Sequence, residues 1–398
     1  MLESVAAPMP ESCFRRLHAL LEGVEPPPGV APIHLHVGDP QHAPPAFALE
    51  RVAEAAPRFG RYAPTGGTPE LRTAIADWLR WRYHLPQGML DPARHVLPVA
   101  GIRESMFLGT LLAMRDGSGR PGPAAMAIPN PFYHCYLGAA VTLGAEPVMV
   151  PAGREQGFLP DLDALDRATL GRLRAFFLCS PANPQGVVAG LPYLERLIRL
   201  AREHRFVVLV DECYAEVYVD RPPPGAMEAC ARLGGDTDRV LVFHSLSKRS
   251  NLPGFRSGFV AGDPALVRDF LALREVGGVA IPEPIQIASA ALWRDEAHVE
   301  ASRALYREKF ELAARMLGNR FGFFMPEGGM FLWLEVGDSV EAARRLWAEA
   351  GVRVMPGRYM SEASPDGTYP GDDFLRVALV PDLDTTREGL GRIAATLG

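Results

Sequence analysis

Lysine is almost absent from this chain. Of its 41 lysine and arginine residues only two are lysines, Lys248 and Lys309. Arginine supplies positive charge nearly everywhere, so a retained lysine is a candidate for a task a guanidinium cannot perform. Forming a Schiff base is one, because it needs a primary amine that can lose its proton. Lys309, inside ALYREKFELAARML, reads as part of a solvated helix face. Other absences narrow the field. No run approaches the ~18 apolar residues of a membrane helix. The opening MLESVAAPMPESCFRRLHALLEG has no basic segment followed by an apolar one, so no secretory signal is visible. The five cysteines (Cys13, Cys135, Cys179, Cys213, Cys230) are odd in number and form no CxxC, which suits reduced thiols in a cytoplasmic protein. Cys179 and Cys213, at strand ends, read as small core residues rather than nucleophiles. No HExxH or His/Cys cluster suggests a metal site. A net charge of −6 argues against nucleic acid as partner.

What is present reads as alternating strands and helices. The 398 residues suffice for two or three domains with a large core. A short helix is expected over 11–23, a Pro-rich connection over 26–32, and a strand over Ile33 to Val37 that ends at Gly38-Asp39-Pro40. Gly38 either lets backbone approach a ligand or simply turns the chain. Thr68-Pro69-Glu70 opens a helix with an N-cap and a proline at the first position. His95 to Val99 is a strand, Ala100-Gly101 a turn, and a helix follows whose free N–H groups suit a phosphate. The apolar runs 124–128, 174–179, 206–210 and 240–243 are bounded by turn residues and read as buried strands. The expected fold is therefore α/β, with a largely parallel sheet covered on both faces. From about Pro284 longer helices and further strands suggest a smaller α+β domain. The division expected is 45–283 for the large domain, with 1–44 and 284–398 forming the small one.

The polar residues fall at one edge. Asn183, Asp211 and Lys248 each sit just past the carboxyl end of a different strand, where open α/β sheets bind ligands. An aldehyde cofactor held by Lys248 as an imine would account for the rest. Pyridoxal phosphate needs a lysine, an anion for its ring nitrogen, donors to its phenolate oxygen and a phosphate cradle. Asp211 suits the ring nitrogen. Asn183 and Tyr214 can donate to the phenolate, and Tyr133 offers an aromatic face. Ser245, Ser247, Arg256 and the helix start at Ile102-Arg103 can hold the phosphate.

The order Gly101, Tyr133, Asn183-Pro184, Asp211-x-x-Tyr214, Ser245-x-Ser247-Lys248, Arg256, Arg376 resembles the class I/II aminotransferases of pyridoxal-phosphate fold type I. The resemblance covers nearly the whole chain. It implies a large domain with a mostly parallel seven-stranded sheet and a smaller α+β domain. It also implies a homodimer in which Tyr62 reaches the partner's phosphate, and an Arg376 that clamps the substrate α-carboxylate bidentately. The usual NPTG loop is NPQG here. A narrower resemblance is to bacterial N-succinyl-diaminopimelate aminotransferases of lysine biosynthesis. FHSLSKRSNLPGFRSGFVAGD carries it, supported by RYAPTGGTPELR, DECYAEVY and HVEASRALYREKF; the stretch EVGGVAIPEPIQ departs from that subgroup.

The reading that follows is an aminotransferase acting on small amino and 2-oxo acids, with Lys248, Asp211 and Tyr214 as its catalytic residues. Cofactor contacts are expected from these together with Asn183, Tyr133, Ser245, Ser247, Arg256, Gly101, Ile102, Arg103 and the partner's equivalent of Tyr62. Substrate contacts are expected from Arg376, Gly38 and Asn183. Alternatives are an aspartate, aromatic or methionine aminotransferase, a carbon–sulfur β-lyase using the same residues, or a non-enzymatic domain that kept the fold. Arg249, Arg274 and Arg358 are candidates for the substrate's far end.

Overall fold

The computed structural model describes residues 9–115, 122–364 and 366–398. Residues 116–121 of the expected large domain, and 1–8 and Pro365 of the expected small one, therefore fall outside the described residues. The strands in chain order are β1 (Ile33–His34), β2 (Val96–Val99), β3 (Ala125–Asn130), β4 (Glu146–Pro151), β5 (Leu173–Cys179), β6 (Val207–Asp211), β7 (Val240–Ser245) and β8 (Gly258–Gly262). They continue with β9 (Phe331–Glu335), β10 (Val352–Arg353), β11 (Met355–Pro356) and β12 (Phe374–Ala378).

Seven of these form the central sheet, in the order β2-β8-β7-β6-β5-β3-β4. Its strands from β7 to β4 run parallel, and β8 is antiparallel to both of its neighbours. This is the α/β sheet expected from the apolar runs, and the period-2 geometry of a strand explains why those runs are continuous. Phe176, Val208 and Val242 face one apolar layer, with Leu71, Leu79 and Leu197 from covering helices. Phe177, Leu209 and Phe243 face the opposite layer, with Met106, Tyr136 and Phe270. Both faces are dry, so both sets of alternating positions must be apolar.

The helices begin where their caps predict. Thr68 Oγ1 accepts from Leu71 N at 3.3 Å, and Pro69 takes the first position of the helix Pro69–Arg82. The first helix, Cys13–Leu20, is shorter than expected and is capped by Ser12. Strand β1 is also shorter than the expected 33–37. It pairs in parallel with β10 for two residues. Beyond it the chain leaves the pairing and crosses toward β12, where Ala378 N donates to Leu35 O at 2.8 Å.

A three-stranded antiparallel sheet, β11-β12-β9, makes the second layered unit. Leu332, Leu334, Leu375 and Val377 pack with Tyr306 and Phe310 of the helix Ala297–Leu317 and with Leu390 and Ile393 of the helix Leu383–Leu397. The helix Glu283–Arg294 sits elsewhere: its Ala290, Leu292 and Trp293 share the core of the large sheet with Trp78. We propose the domain division near 283 as a working description, with this helix docked on the larger unit.

One expectation is overturned. Lys309 is not on a solvated face but 2% exposed. Its Nζ donates to His42 Nε2 at 2.7 Å, Leu379 O at 3.1 Å and Val380 O at 3.3 Å. The residues that bury it lie far away in the chain, so the local helical pattern carries no sign of them.

Candidate active site

The carboxyl ends of β5, β6 and β7 lie side by side. Cys179 pairs with Asp211, and Asp211 with Phe243. The loops that leave these ends bring Asn183, Tyr214 and Lys248 to the wall of one cavity of about 410 Å³. All of the expected site residues line it except Gly101 and Tyr62. Tyr62 is wholly exposed, away from this cavity in the single chain.

Lys248 Nζ donates to the carbonyl oxygen of Gly38. Burial lowers the amine's proton affinity, and Arg376 adds to the effect, while Cys213, Asp39 and Asp211 oppose it. Gly38 has a steric reason to be glycine, since a Cβ there would sit 2.5 Å from Cζ of Phe331.

Asp211 ends β6 and is 3% exposed. Tyr136 OH donates to its Oδ2 at 3.0 Å and Cys213 N to its Oδ1 at 3.1 Å. Burial raises the carboxyl's pKa, and these two donors pull it back. A cationic ring nitrogen facing it would complete the compensation a buried carboxylate needs.

Arg376 lies at the centre of β12, paired with Met355 on one side and Trp333 on the other. Its Nη1 donates to Asn183 Oδ1 at 3.0 Å and its Nη2 to His36 O at 2.7 Å. Its Nε is buried without a partner. The guanidinium stacks over Phe331, 4.4 Å from the ring centre. Because a guanidinium can only donate, Asn183 must present its oxygen to Arg376, which leaves the amide N–H groups of Asn183 as donors for another ligand.

Ser245, Ser247 and Arg256 supply an anion cradle in the same cavity. Ser245 Oγ and Ser247 Oγ are 2.8 Å apart, and Ser247 N donates to Ser245 Oγ at 3.1 Å. Arg256 is held in a left-handed conformation, φ 50°, with Nη1 on the carbonyl of Pro253. Gly101 has φ +89°, and a Cβ on it would lie 2.0 Å from Arg256 Nη2. Gly101 is therefore outside the lining but makes room for the arginine that is in it. The helix Ile102–Arg115 starts at this point, so its first N–H groups face the same space. Arg103 Nε donates to Tyr133 OH at 3.0 Å, fixing the aromatic ring beside the cradle.

Buried carboxylate, primary amine and anion cradle, all lining one cavity, fit a phosphorylated pyridine aldehyde. Comparison with known proteins decides the family. The family model for aminotransferase class I and II matches residues 31–393. The chain belongs to the class I and II aminotransferases. These are pyridoxal-phosphate-dependent enzymes. It is 35% identical, over 92% of each chain, to the 4-dedimethylamino-4-oxo-anhydrotetracycline transaminase OxyQ of Streptomyces rimosus. It is 30% identical, again over 92% of each, to an LL-diaminopimelate aminotransferase of Nitratidesulfovibrio vulgaris. Among solved structures it is similar to an aminotransferase of Neisseria meningitidis (TM-score 0.92, 36% identity, 99% of this chain and 98% of that one). It is also similar to a probable N-succinyldiaminopimelate aminotransferase of Thermus thermophilus (TM-score 0.83, 27% identity, 97% and 100%).

Several sequence candidates do not reach the site. Arg249 is buried and gives its N–H groups to Leu292 O, Asp295 O and Glu296. Arg274 is buried and binds the carbonyls of Thr65, Pro98 and Val279. Arg358 pairs with Asp372 at 2.8 Å, outside the cavity. None of the three is placed to read a substrate's far end. Cys179 is a buried thiol that donates to Pro181 O at 3.2 Å, and Cys213 lines the cavity. Burial pushes both thiols upward, which suits the non-nucleophilic role expected.

Sequence reasoning missed Phe14, Asp39, Cys213 and Phe331, which also line the cavity. Phe331 lay in a run, FLWL, legible only as core strand. It also missed a buried support behind Asp211. Glu212 Oε2 accepts from Tyr83 OH at 2.9 Å and meets His244 Nε2 at 2.8 Å, while its Oε1 accepts from Ala226 N at 2.7 Å. Among the described residues no group of three or more His, Cys, Asp or Glu is placed to hold a metal ion, and no helix is long and apolar enough to cross a membrane.

Proposed function

We propose that this aminotransferase moves the amino group between N-succinyl-LL-2,6-diaminopimelate and 2-oxoglutarate, the step that serves lysine biosynthesis. The observation that carries the reading is that Lys248 and Arg376, from different units of the chain, line one cavity and bind neighbouring carbonyls of one loop, Gly38 O and His36 O. That pairing of a guanidinium with a primary amine suits an α-amino acid gripped by its carboxylate. The narrower choice of substrate rests on the loop Phe243 to Asp263 and on the likeness to the Thermus protein. A second reading takes LL-diaminopimelate itself as substrate, favoured by the curated relatives of that name.

Pyridoxal phosphate, when bound, supplies an aldehyde that condenses with primary amines and a ring that accepts electron density from the neighbouring carbon. On this reading Asp211 holds the ring nitrogen protonated, and Asn183 and Tyr214 donate to the phenolate oxygen. Ser245, Ser247, Arg256 and the amides at Ile102 and Arg103 hold the phosphate, with Tyr133 against the ring. Arg376 binds the substrate α-carboxylate. Lys248, its proton affinity lowered by burial, provides the amine and then takes and returns the proton at the substrate Cα. The enzyme works as a cytoplasmic homodimer in which the exposed Tyr62 reaches the partner's phosphate cradle.

The test is a donor and acceptor panel. N-succinyl-2-amino-6-oxopimelate with glutamate should turn over, and glutamate alone should convert the bound cofactor to its amine form. Turnover with tetrahydrodipicolinate instead would establish the second reading. Release of pyruvate and ammonia from cystathionine without amino transfer would mark a β-lyase.

A further inference from the structure

Both lysines of this lysine-poor chain bind the same loop. Lys248 Nζ donates to Gly38 O, and Lys309 Nζ donates to His42 Nε2 at 2.7 Å. Two further anchors precede these. Leu35 O accepts from Ala378 N at 2.8 Å, and His36 O accepts from Arg376 Nη2 at 2.7 Å. The segment 35–42 is thus stitched to β12 at one end and to the amine of Lys248 in its middle. At its far end His42 packs its ring against Tyr306, 4.8 Å between centres, and takes its hydrogen bond from Lys309. The remaining donors of that ammonium go to Leu379 O and Val380 O, the two residues next but one and next but two after Val377 of β12.

We propose that Lys309 is a positioning residue for substrate binding, locking the segment 36–42 to the end of β12 so that the Gly38 carbonyl and the Arg376 guanidinium keep a fixed separation across the cavity. It touches no reacting atom. It acts through His42 on one side and through the backbone of the carboxylate-binding strand on the other.

The residue type follows from the geometry. Three acceptors converge on one nitrogen, which matches the three N–H groups of an ammonium and not a planar fork. The ring of Tyr306, one helical turn before it, lies 4.9 Å from Nζ and gives the charge an apolar but electron-rich floor. An ammonium cannot accept, so His42 Nε2 accepts and the ring is neutral with its proton on Nδ1, an atom buried without a partner. Burial, then the charge of Lys309, lowers the His42 pKa to about 4, consistent with a neutral ring. The titratable groups around Lys309 are Tyr306 on its own helix, His42 and Asp39 on the loop, and Asp382 at the start of the last helix. Burial lowers its own pKa to about 8, and Asp382 opposes the shift. The tether is therefore complete between about pH 4 and pH 8; it loses the His42 acceptor below that window and one Lys309 donor above it.

The test uses Lys309→Met, His42→Leu and His42→Gln in the full-length holoenzyme, with glutamate as amino donor. The proposal rests on the family's amino-transfer chemistry and not on the diaminopimelate reading. Lys309→Met and His42→Leu should raise KM for glutamate by roughly 5-fold or more with kcat within about 2-fold, the signature of lost ground-state positioning. His42→Gln, which keeps an acceptor, should hold the wild-type KM. The double variant Lys309→Met/His42→Leu should be no worse than Lys309→Met, because both break one contact. Wild-type KM should climb above pH 8 and the climb should vanish in Lys309→Met. His42 is half-buried, so its variants keep the test open should Lys309→Met fail to fold. An unchanged KM in His42→Leu, or a His42→Gln protein as impaired as His42→Leu, would overturn the proposal.

Discussion

Arg376 and Asn183 are bonded directly, Nη1 to Oδ1 at 3.0 Å, across the join between the small antiparallel sheet and the loop that follows β5. The contact sets both residues at once. It turns the amide's donors toward the cavity and keeps the guanidinium from swinging. Nε of Arg376 is left buried and unpaired, and an unpaired buried donor is costly until a ligand satisfies it.

Arg376→Lys keeps the charge but loses the fork. A lysine cannot hold Asn183, His36 and a substrate carboxylate together. KM for the amino donor should rise by about 10- to 100-fold, the loss of one charge-assisted hydrogen bond worth ~1.5–3 kcal/mol. The cofactor's bound absorbance should persist. Steady-state kinetics against spectral titration separate the two effects, and a variant with wild-type KM would remove Arg376 from substrate binding.

Asp211 and Tyr136 allow a graded test of the ring-nitrogen partner. Asp211→Asn removes the charge and should weaken cofactor binding by roughly 10-fold or more, on the same charge-assisted magnitude. Tyr136→Phe keeps the ring, which stacks on Phe177 at 4.7 Å, and removes only the donor to Oδ2. Its effect should be several-fold smaller. Equilibrium dialysis of the cofactor measures both; equal losses would mean the carboxylate's charge is not what matters.

Gly101→Ala tests the cradle without touching a phosphate contact. The residue must adopt φ +89°, which an alanine disfavours, and its Cβ would fall on Arg256 Nη2. Arg256 must then move. The expected result is faster loss of cofactor on dialysis with the fold intact by circular dichroism. A cofactor held as tightly as in the parent protein would show that Arg256 has no part in holding it.

The sequence made the strand-end residues legible for a physical reason. An apolar run that stops abruptly at Asp211, or that leads within a few residues to Asn183 or Lys248, marks a buried strand delivering a polar atom to the sheet's edge. A largely parallel sheet followed from the same runs, since a sheet dry on both faces needs no polar alternation, while the count of seven strands came from the family resemblance. What stayed hidden depends on distant backbone. Arg249 and Arg274 looked available because nothing local consumes them, yet each satisfies carbonyls at helix ends or turns that only the folded chain brings near. Lys309 was misread for the same reason. Its helix has an ordinary amphipathic pattern, and the acceptors that bury it belong to residues 42, 379 and 380. Phe331 was visible as core but not as the floor beneath Arg376, because a run of apolar residues does not say which of them meets a cation.

Glu216 should be a stability determinant with little effect on chemistry. It accepts from Arg82 Nε at 2.6 Å and from Arg303 Nη2 at 2.8 Å, and is 4% exposed. Glu216→Ala leaves the buried Arg82 without its anion and Arg303 with Glu300 alone, and breaking a buried pair typically costs ~3–5 kcal/mol. Glu216→Gln should recover part of this. The melting temperature should fall in the order parent, Gln, Ala, while kcat per folded molecule stays near the parent value. Unchanged melting of the Ala variant would mean that other acceptors, such as the carbonyls of Ala215 and Pro223 already on Arg82, suffice.

Lys248 should capture an aldehyde at a pH where an ordinary lysine is still protonated. Desolvation is the first cause of its lowered pKa, and the Arg376 charge acts in the same direction. For a base, a lowered pKa means a larger neutral fraction at any given pH, and the neutral amine is the nucleophile. The pH midpoint for imine formation between apoenzyme and pyridoxal phosphate should therefore lie below 10.5, the ordinary lysine value. Arg376→Met removes the neighbouring charge and should move the midpoint upward, toward that value, although burial alone keeps it from returning there. Asp39→Asn removes an opposing negative charge and should move it downward. Stopped-flow absorbance across pH reads all three midpoints. If Arg376→Met shifted the midpoint downward, the two cations would not be coupled across the cavity as their positions require.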